Sequence, residues 1–323
     1  MANTFRVGDM TVHRIVEMEC GFTPALEFLP DLKPEVLAEN RSWLAPAAMD
    51  AQDNLVLCFQ SYIVQTGRHT ILVDSCIGND KDRTARPLWH QKKDDVWMRG
   101  LAAAGLTVND IDFVMCTHLH VDHVGWNTKL ENGRWVPTFP KARYLFSKKE
   151  LDYWLAENDK TALPPIVDSV IPIVEAKRCD LVTSDHAVDD TVALLPTPGH
   201  TIDHYAVALG RGGNDAVITG DLIHSPLQAR YPELAMRVDY DPKQGADTRR
   251  SSWRRTATPT RCAASRTSRH RRVATSGAGA TGSAASTSPP DAACGCSPGT
   301  SAKAADRDLR QSSGLSLAIM PMC

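Results

Sequence analysis

The sequence predicts a layered α/β domain followed by a tail of a different kind. Three observations carry this. Short apolar, β-branched runs alternate with stretches of helical apolar spacing. Histidines and aspartates gather where several of those runs end. Composition changes abruptly near Arg250.

In chain order, Asn54–Thr66 (NLVLCFQSYIVQT) reads as a strand and His69–Asp74 (HTILVD) as its hairpin partner across Gly67. Asp94–Ala104 has helical apolar spacing and stops at Gly105. Asp112–Thr117 (DFVMCT) reads as a buried strand, Ala142–Ser147 as another, and Lys148–Glu157 as a helix. Thr191–Leu195, Ala206–Leu209 and Ala216–Thr219 read as short strands, each followed by Gly, Pro or polar residues. The segment Cys20–Leu29 (CGFTPALEFL) is apolar enough to line a pocket and equally suits a core.

At 323 residues, 42% hydrophobic and 23% charged, the averages suit a soluble enzyme and exclude collagen-like, coiled-coil and wholly disordered classes. No apolar run spans a membrane and the N-terminus lacks a secretory pattern, so a cytoplasmic location is expected. Nine scattered cysteines do not form a disulfide framework, and reduced thiols are expected.

The averages conceal a break. In residues 251–323, Ala, Ser, Arg and Thr fill 44 of 73 positions, and Phe, Tyr and Glu are absent. Ten basic residues against three acidic ones give this segment +7, which leaves −9 on residues 1–250. The expected organisation is therefore a domain over 1–250 and a tail over 251–323 that cannot bury enough apolar surface to fold.

The chemistry lies in His118-Leu119-His120-Val121-Asp122-His123. In an extended chain His118, His120 and Asp122 point the same way, and His123 joins them where the backbone bends. Imidazole and carboxylate suit Zn²⁺, Mn²⁺ or Fe²⁺. Four such groups in six residues exceed what one ion uses, so two adjacent ions are expected. Gly125 follows, where a tight backbone approach is expected. Two later loops fit: LPTPGH brings His200 to a strand end, and Gly220-Asp221 puts a carboxylate where it could bridge two cations.

With Asp74 in ILVDSCIGN, the HxHxDH run, His200 in TPGHT and Asp221 in TGDLIH, residues 5–250 resemble the metallo-β-lactamase-fold hydrolases. The resemblance implies an αββα sandwich with its metal site at one edge between the sheets. It implies that His118, His120 and His200 hold one divalent ion, Asp122 and His123 a second, that Asp221 bridges, and that Asp74 supports the histidine loop. The implied reaction is attack by a metal-bridging hydroxide on an acyl or phosphoryl centre, with Asp122 orienting it or moving its proton. CIGN, THLHVDHVGWN and GDLIHSPLQ resemble the branch of N-acyl-homoserine lactonases (quorum-quenching enzymes) and methyl parathion hydrolase. Those lactonases place a catalytic Tyr three residues after the bridging Asp. Here that position is His224, a candidate proton donor or a supporting residue, and His204 is read as structural.

The expected function is hydrolysis of a small ester or lactone with two ions, Zn²⁺ foremost and Mn²⁺ or Fe²⁺ as alternatives. A glyoxalase II-like thioesterase, a phosphotriesterase and a non-catalytic metal-binding remnant are the competing readings. No nucleic-acid or membrane partner is expected, because the body is acidic and the tail lacks interleaved aromatics. A homodimer stays open.

The departure from the family is C-terminal. Its members supply one more His to the second ion, commonly in an HFP-like segment. Here His270 alone follows His224, amid Arg and Ser. Read one base out of frame, the codons of Arg266–Arg269 admit His-Phe-Pro. The sequence reads as a one-base frameshift near Arg250–Ser252, which leaves the domain incomplete at its C-terminal end. A natural disordered tail and a nucleic-acid-binding arm are the alternatives.

Overall fold

Met10–Pro24 forms one fifteen-residue strand that sequence patterning does not reveal. The reason is Glu17, a charged residue on its buried side, which interrupts the apolar alternation. The Glu17 carboxylate accepts hydrogen bonds from Ile77 N and Trp126 Nε1 and pairs with Lys92 Nζ at 2.7 Å. Register shifts between Val16 and Met18 and between Gly21 and Thr23 disturb the pattern further.

The computed structural model describes residues 3–212, 215–257 and 318–321. In chain order its elements are β1 (Asn3–Val7), β2 (Met10–Pro24), α1 (Ala25–Phe28), α2 (Pro34–Leu44), β3 (Asn54–Gln65), β4 (Thr70–Val73), α3 (Val96–Ala103) and β5 (Phe113–Met115). These are followed by β6 (Thr128–Glu131), β7 (Arg134–Pro137), β8 (Arg143–Ser147), α4 (Lys148–Lys160), α5 (Pro164–Ser169), α6 (Ile171–Glu175) and β9 (Cys179–Val182). The chain continues with β10 (Val192–Pro196), β11 (Tyr205–Leu209), β12 (Ala216–Gly220), α7 (Leu227–Arg230), α8 (Pro242–Ala257) and β13 (Ala318–Pro321).

The larger sheet has the order β1-β2-β3-β4-β5-β8-β9, the second β10-β11-β12-β13, and β6 and β7 pair as a separate two-stranded sheet. In the first, β1 to β4 pair antiparallel and β4, β5, β8 and β9 pair parallel. Parallel neighbours need crossovers, which α3 supplies between β4 and β5, and the helices α4 to α6 between β8 and β9. In the second sheet β10, β11 and β12 form an antiparallel meander, and β13 lies parallel to β12.

The two larger sheets face each other. Val12, Val64, Ile71, Val73, Met115 and Leu145 of the first pack with Val192, Leu194, Val207, Leu209 and Ile218 of the second. Each fully buried Val, Leu or Ile contributes about 1.5–3 kcal/mol relative to exposure. On the other face of the first sheet, Ile63, Leu72, Val114, Tyr144 and Phe146 pack under Trp97, Leu151, Ile166 and Ile173 of the helices. The α/β sandwich expected from the sequence is thus present.

Every strand and helix predicted within residues 54–220 is found, with its ends shifted by at most three residues. Cys20–Leu29 is the end of β2 running into α1, with Ala25, Phe28 and Leu29 buried. Helix α8 passes the composition boundary at 250 and ends at Ala257. The described residues belong to one compact unit, Met1–Ala257 with Leu315–Cys323. The second unit, Thr258–Gly314, and with it His270 and most of the predicted tail, lies outside the described residues. No helix among the described residues is long and apolar enough to cross a membrane.

Candidate metal centre

The residues of the centre lie on loops that follow strand ends. Asp74 follows β4 in a left-handed conformation, φ 54°. Its carboxylate accepts hydrogen bonds from Thr117 N at 2.7 Å and Thr117 Oγ1 at 2.8 Å, and lies 2.8 Å from His123 Nδ1. Because β5 runs parallel to β4, the loop after Met115 starts beside Asp74. Ser75 N donates to His123 O, Gly125 N to Cys76 O and Trp126 N to Ser75 O, all within 2.7–2.8 Å. A Cβ on Gly125 would lie 1.9 Å from Ile77 O, so only glycine allows this approach.

His200 leaves the turn after β10, and Asp221 follows β12. Asp221 N donates to His204 Nε2 at 3.0 Å, and His204 Nδ1 lies 2.8 Å from Thr197 Oγ1. His204 therefore ties the His200 loop to the Asp221 loop. Burial, reinforced by the neighbouring His200, pushes its pKa down to about 3, so it stays neutral. Buried Glu150 braces the loops from the other side, accepting hydrogen bonds from Asp203 N and Trp154 Nε1.

Six sequence-predicted residues converge. His118, His120, His200 and Asp221 offer ligand atoms within 4.8 Å of one another, and so do Asp122, His123 and Asp221. Asp221 is common to both groups. Its Oδ1 lies 3.2 Å from His123 Nε2, and its Oδ2 lies 3.3 Å from His200 Nε2 and 3.7 Å from His118 Nε2. His120 Nδ1 and His200 Nε2 are 3.0 Å apart. His224 Nε2 lies 3.1 Å from Asp221 Oδ2, and its ring meets Phe28 edge-on at 5.5 Å.

Divalent cations fit this donor set. His118 Nε2 is buried without a hydrogen-bond partner and lies 3.7 Å from Asp221 Oδ2. Such a group costs about 1–3 kcal/mol when left unsatisfied, and a cation bound there removes that cost. The electrostatics agree. Burial and the surrounding histidines hold His118 and His120 well below the usual imidazole range. Burial also opposes charge on His123 and His200, but the carboxylates of Asp221, Asp74 and Asp122 together outweigh it at His123, and those of Asp221 and Asp239 together at His200, which rises to about 9. Burial raises the Asp122 carboxyl.

Two residues that sequence reasoning missed serve His200. Its Nδ1 lies 2.8 Å from Asp239 Oδ1, and Asp239 Oδ2 lies 3.6 Å from Arg249 Nη1. Nothing local in VDYDPKQ distinguishes Asp239 from Asp241, and the pairing with His200 spans 39 residues.

The profile of the metallo-beta-lactamase superfamily matches residues 60–260. The chain belongs to this superfamily. Metallo-beta-lactamase superfamily members are metal-dependent hydrolases, and the converging His and Asp groups of this chain could hold metal ions. Among curated relatives, Ribonuclease Z of Mycobacterium sp. (strain KMS) is 27% identical over 202 residues, 54% of this chain and 65% of the relative. The chain thus spans less than two thirds of that relative's length. Among solved structures, hydrolase AbOPH of the beta lactamase superfamily superposes with TM-score 0.63 at 23% identity, covering 80% of this chain and 87% of that one. AidC, a dizinc quorum-quenching lactonase in complex with a product, superposes with TM-score 0.65 at 18% identity, covering 79% and 86%. At such identities these structures support the superfamily fold and nothing finer.

Proposed function

We propose that this superfamily member is a dinuclear hydrolase of small esters or lactones. The observation that carries the reading is the position of Asp221 within both ligand groups. In this reading His118, His120 and His200 hold one Zn²⁺, Asp122 and His123 hold another, and Asp221 is shared. Bound divalent ions supply Lewis acidity that favours ionised water near neutral pH and neutralises charge developing on the substrate oxygen.

The chain's own residues supply the rest. Asp221 and Asp122 offset the positive charge drawn into a largely buried site. The Asp122 side chain, 15% exposed and 3.7 Å from His123 Nε2, can take the proton of the attacking water. His224, against Asp221 and the Phe28 ring, stands where a donor could protonate a leaving alkoxide. The Phe28 ring that meets His224 belongs to a buried apolar cluster with Leu29 and Leu227.

Residues 251–323 enter this reading as an out-of-frame product. With Asp122, His123 and Asp221 alone, the second ion binds more weakly than the first. Sequencing the coding DNA tests this: the absence of an HFP-like stretch in the other frame ends the frameshift reading.

The function is tested by assaying the full chain, with added Zn²⁺ or Mn²⁺, against lactones, aryl esters, thioesters and phosphotriesters. Lactone or ester turnover is expected to exceed the others. A second reading, phosphodiester cleavage in RNA, rests on the relatives named Ribonuclease Z. Salt-sensitive RNA cleavage without ester or lactone turnover would establish it in place of the first.

A further inference from the structure

The structure assigns Asp239 and Arg249 as positioning residues that hold His200 in the orientation a metal ion requires. The inference rests on His200 as a ligand and goes beyond the proposed reaction, because it makes α8 part of the metal centre.

The side-chain chain is continuous. Asp239, whose side chain is fully buried, faces His200 Nδ1 at 2.8 Å. Its second oxygen accepts a hydrogen bond from Met236 N at 3.1 Å and lies 3.6 Å from Arg249 Nη1. Arg249 is 1% exposed and donates from Nε to Pro232 O at 2.9 Å. A carboxylate that accepts the Nδ1 hydrogen leaves Nε2 as the lone-pair nitrogen, orients the ring and raises its basicity. In this site Nε2 is the nitrogen that faces Asp221 and His120. Arg249 supplies the counter-charge that lets Asp239 remain ionised away from water.

The backbone docks in the same place. Tyr240 N donates to His200 O at 3.0 Å, Asp241 N to Gly199 O at 2.9 Å, and Thr248 Oγ1 to Pro198 O at 2.8 Å. A Cβ on Gly199 would lie 2.2 Å from Gly245 N, so the ligand loop rests directly on the first turns of α8. Residues 198–200 are thus held by α8 and the segment before it at backbone and side chain together. From that segment, Asp239 reaches the imidazole.

The test is retention of Zn²⁺ by the full chain against a chromophoric chelator, with unfolding of the metal-free chain followed in parallel. Asp239→Asn keeps the side chain's shape, and Arg249→Met keeps its bulk. Lys243→Ala, an exposed change on the same helix, is the control. Asp239→Asn is expected to weaken the tighter ion about 10–100-fold, and Arg249→Met to weaken it in the same direction by less. Lys243→Ala should match the parent. Retention equal to the parent in Asp239→Asn overturns the inference, whether or not the unfolding midpoint falls. A fall in the midpoint alone marks a structural role. If the parent itself retains no Zn²⁺, the metal reading of the site fails and this inference with it.

Discussion

Asp74 Oδ2 lies 2.8 Å from His123 Nδ1, and the same carboxylate accepts two hydrogen bonds from Thr117. One buried side chain therefore sets both ends of the histidine loop. Asn tolerates the left-handed backbone of residue 74, so Asp74→Asn tests the charge without the conformation. The second ion should bind about 10–100-fold more weakly, measured by metal analysis after stepwise dialysis.

Asp221 belongs to both ligand groups and Asp122 to one. Asp221→Ala should deplete both ions at once. Asp122→Ala should leave the ion of His118, His120 and His200 in place and lower the metal content by about half. Elemental analysis of the two variants side by side distinguishes these patterns.

His224 touches Asp221 but lies in neither ligand group. As a proton donor it should affect turnover more than binding. His224→Phe is expected to lower kcat on a lactone by about 100-fold or more while metal content stays unchanged. Steady-state kinetics with metal analysis checks this, and equal loss of metal would instead mark His224 as a support of Asp221.

Gly125 meets the backbone of Ile77 where a Cβ would sit 1.9 Å from the carbonyl oxygen. Neither chain can give way, because both carry backbone hydrogen bonds at this point. Gly125→Ala should cost about 3 kcal/mol, the upper end of what overpacking costs. The loss is read as a lower denaturant midpoint or as insoluble expression.

Lys81 is fully buried, against Thr128 Oγ1, Asp168 and the Trp135 ring. Burial pulls its pKa from 10.5 down to about 7, against the attraction of Asp168. Between those values the unfolded chain holds the proton and the folded chain has released it. Stability should therefore rise from pH 7 towards pH 10, by up to about 1.4 kcal/mol per pH unit from this group. Below about pH 7 both states are protonated and the cost of the buried charge is felt in full. Denaturant midpoints across pH, compared with Lys81→Met, isolate this slope.

What was legible in the sequence was local. The HxHxDH run places its donors through the two-residue alternation of an extended chain, and the Pro-Gly and Gly-Asp turns mark where two more donors leave a strand. Among the strands from residue 54 onward, β3 and β11 show because their apolar residues are buried on both faces, whereas the more exposed β6, β7 and β9 do not. The β1–β2 ribbon was not legible, because Glu17 breaks its pattern for the sake of Lys92, Ile77 and Trp126, which are 60 to 109 residues away.

By itself, then, the sequence determined the donor set, the sheet-forming core and the compositional break near Arg250. Only the tertiary structure decided that Asp221 belongs to both groups of candidate ligands, that His204 ties two loops together, and that Asp239 and Arg249 stand behind His200. The physical reason is that donor chemistry belongs to the residue type, whereas the partner that orients a donor is set by which distant segments the packed sheets bring within hydrogen-bond reach.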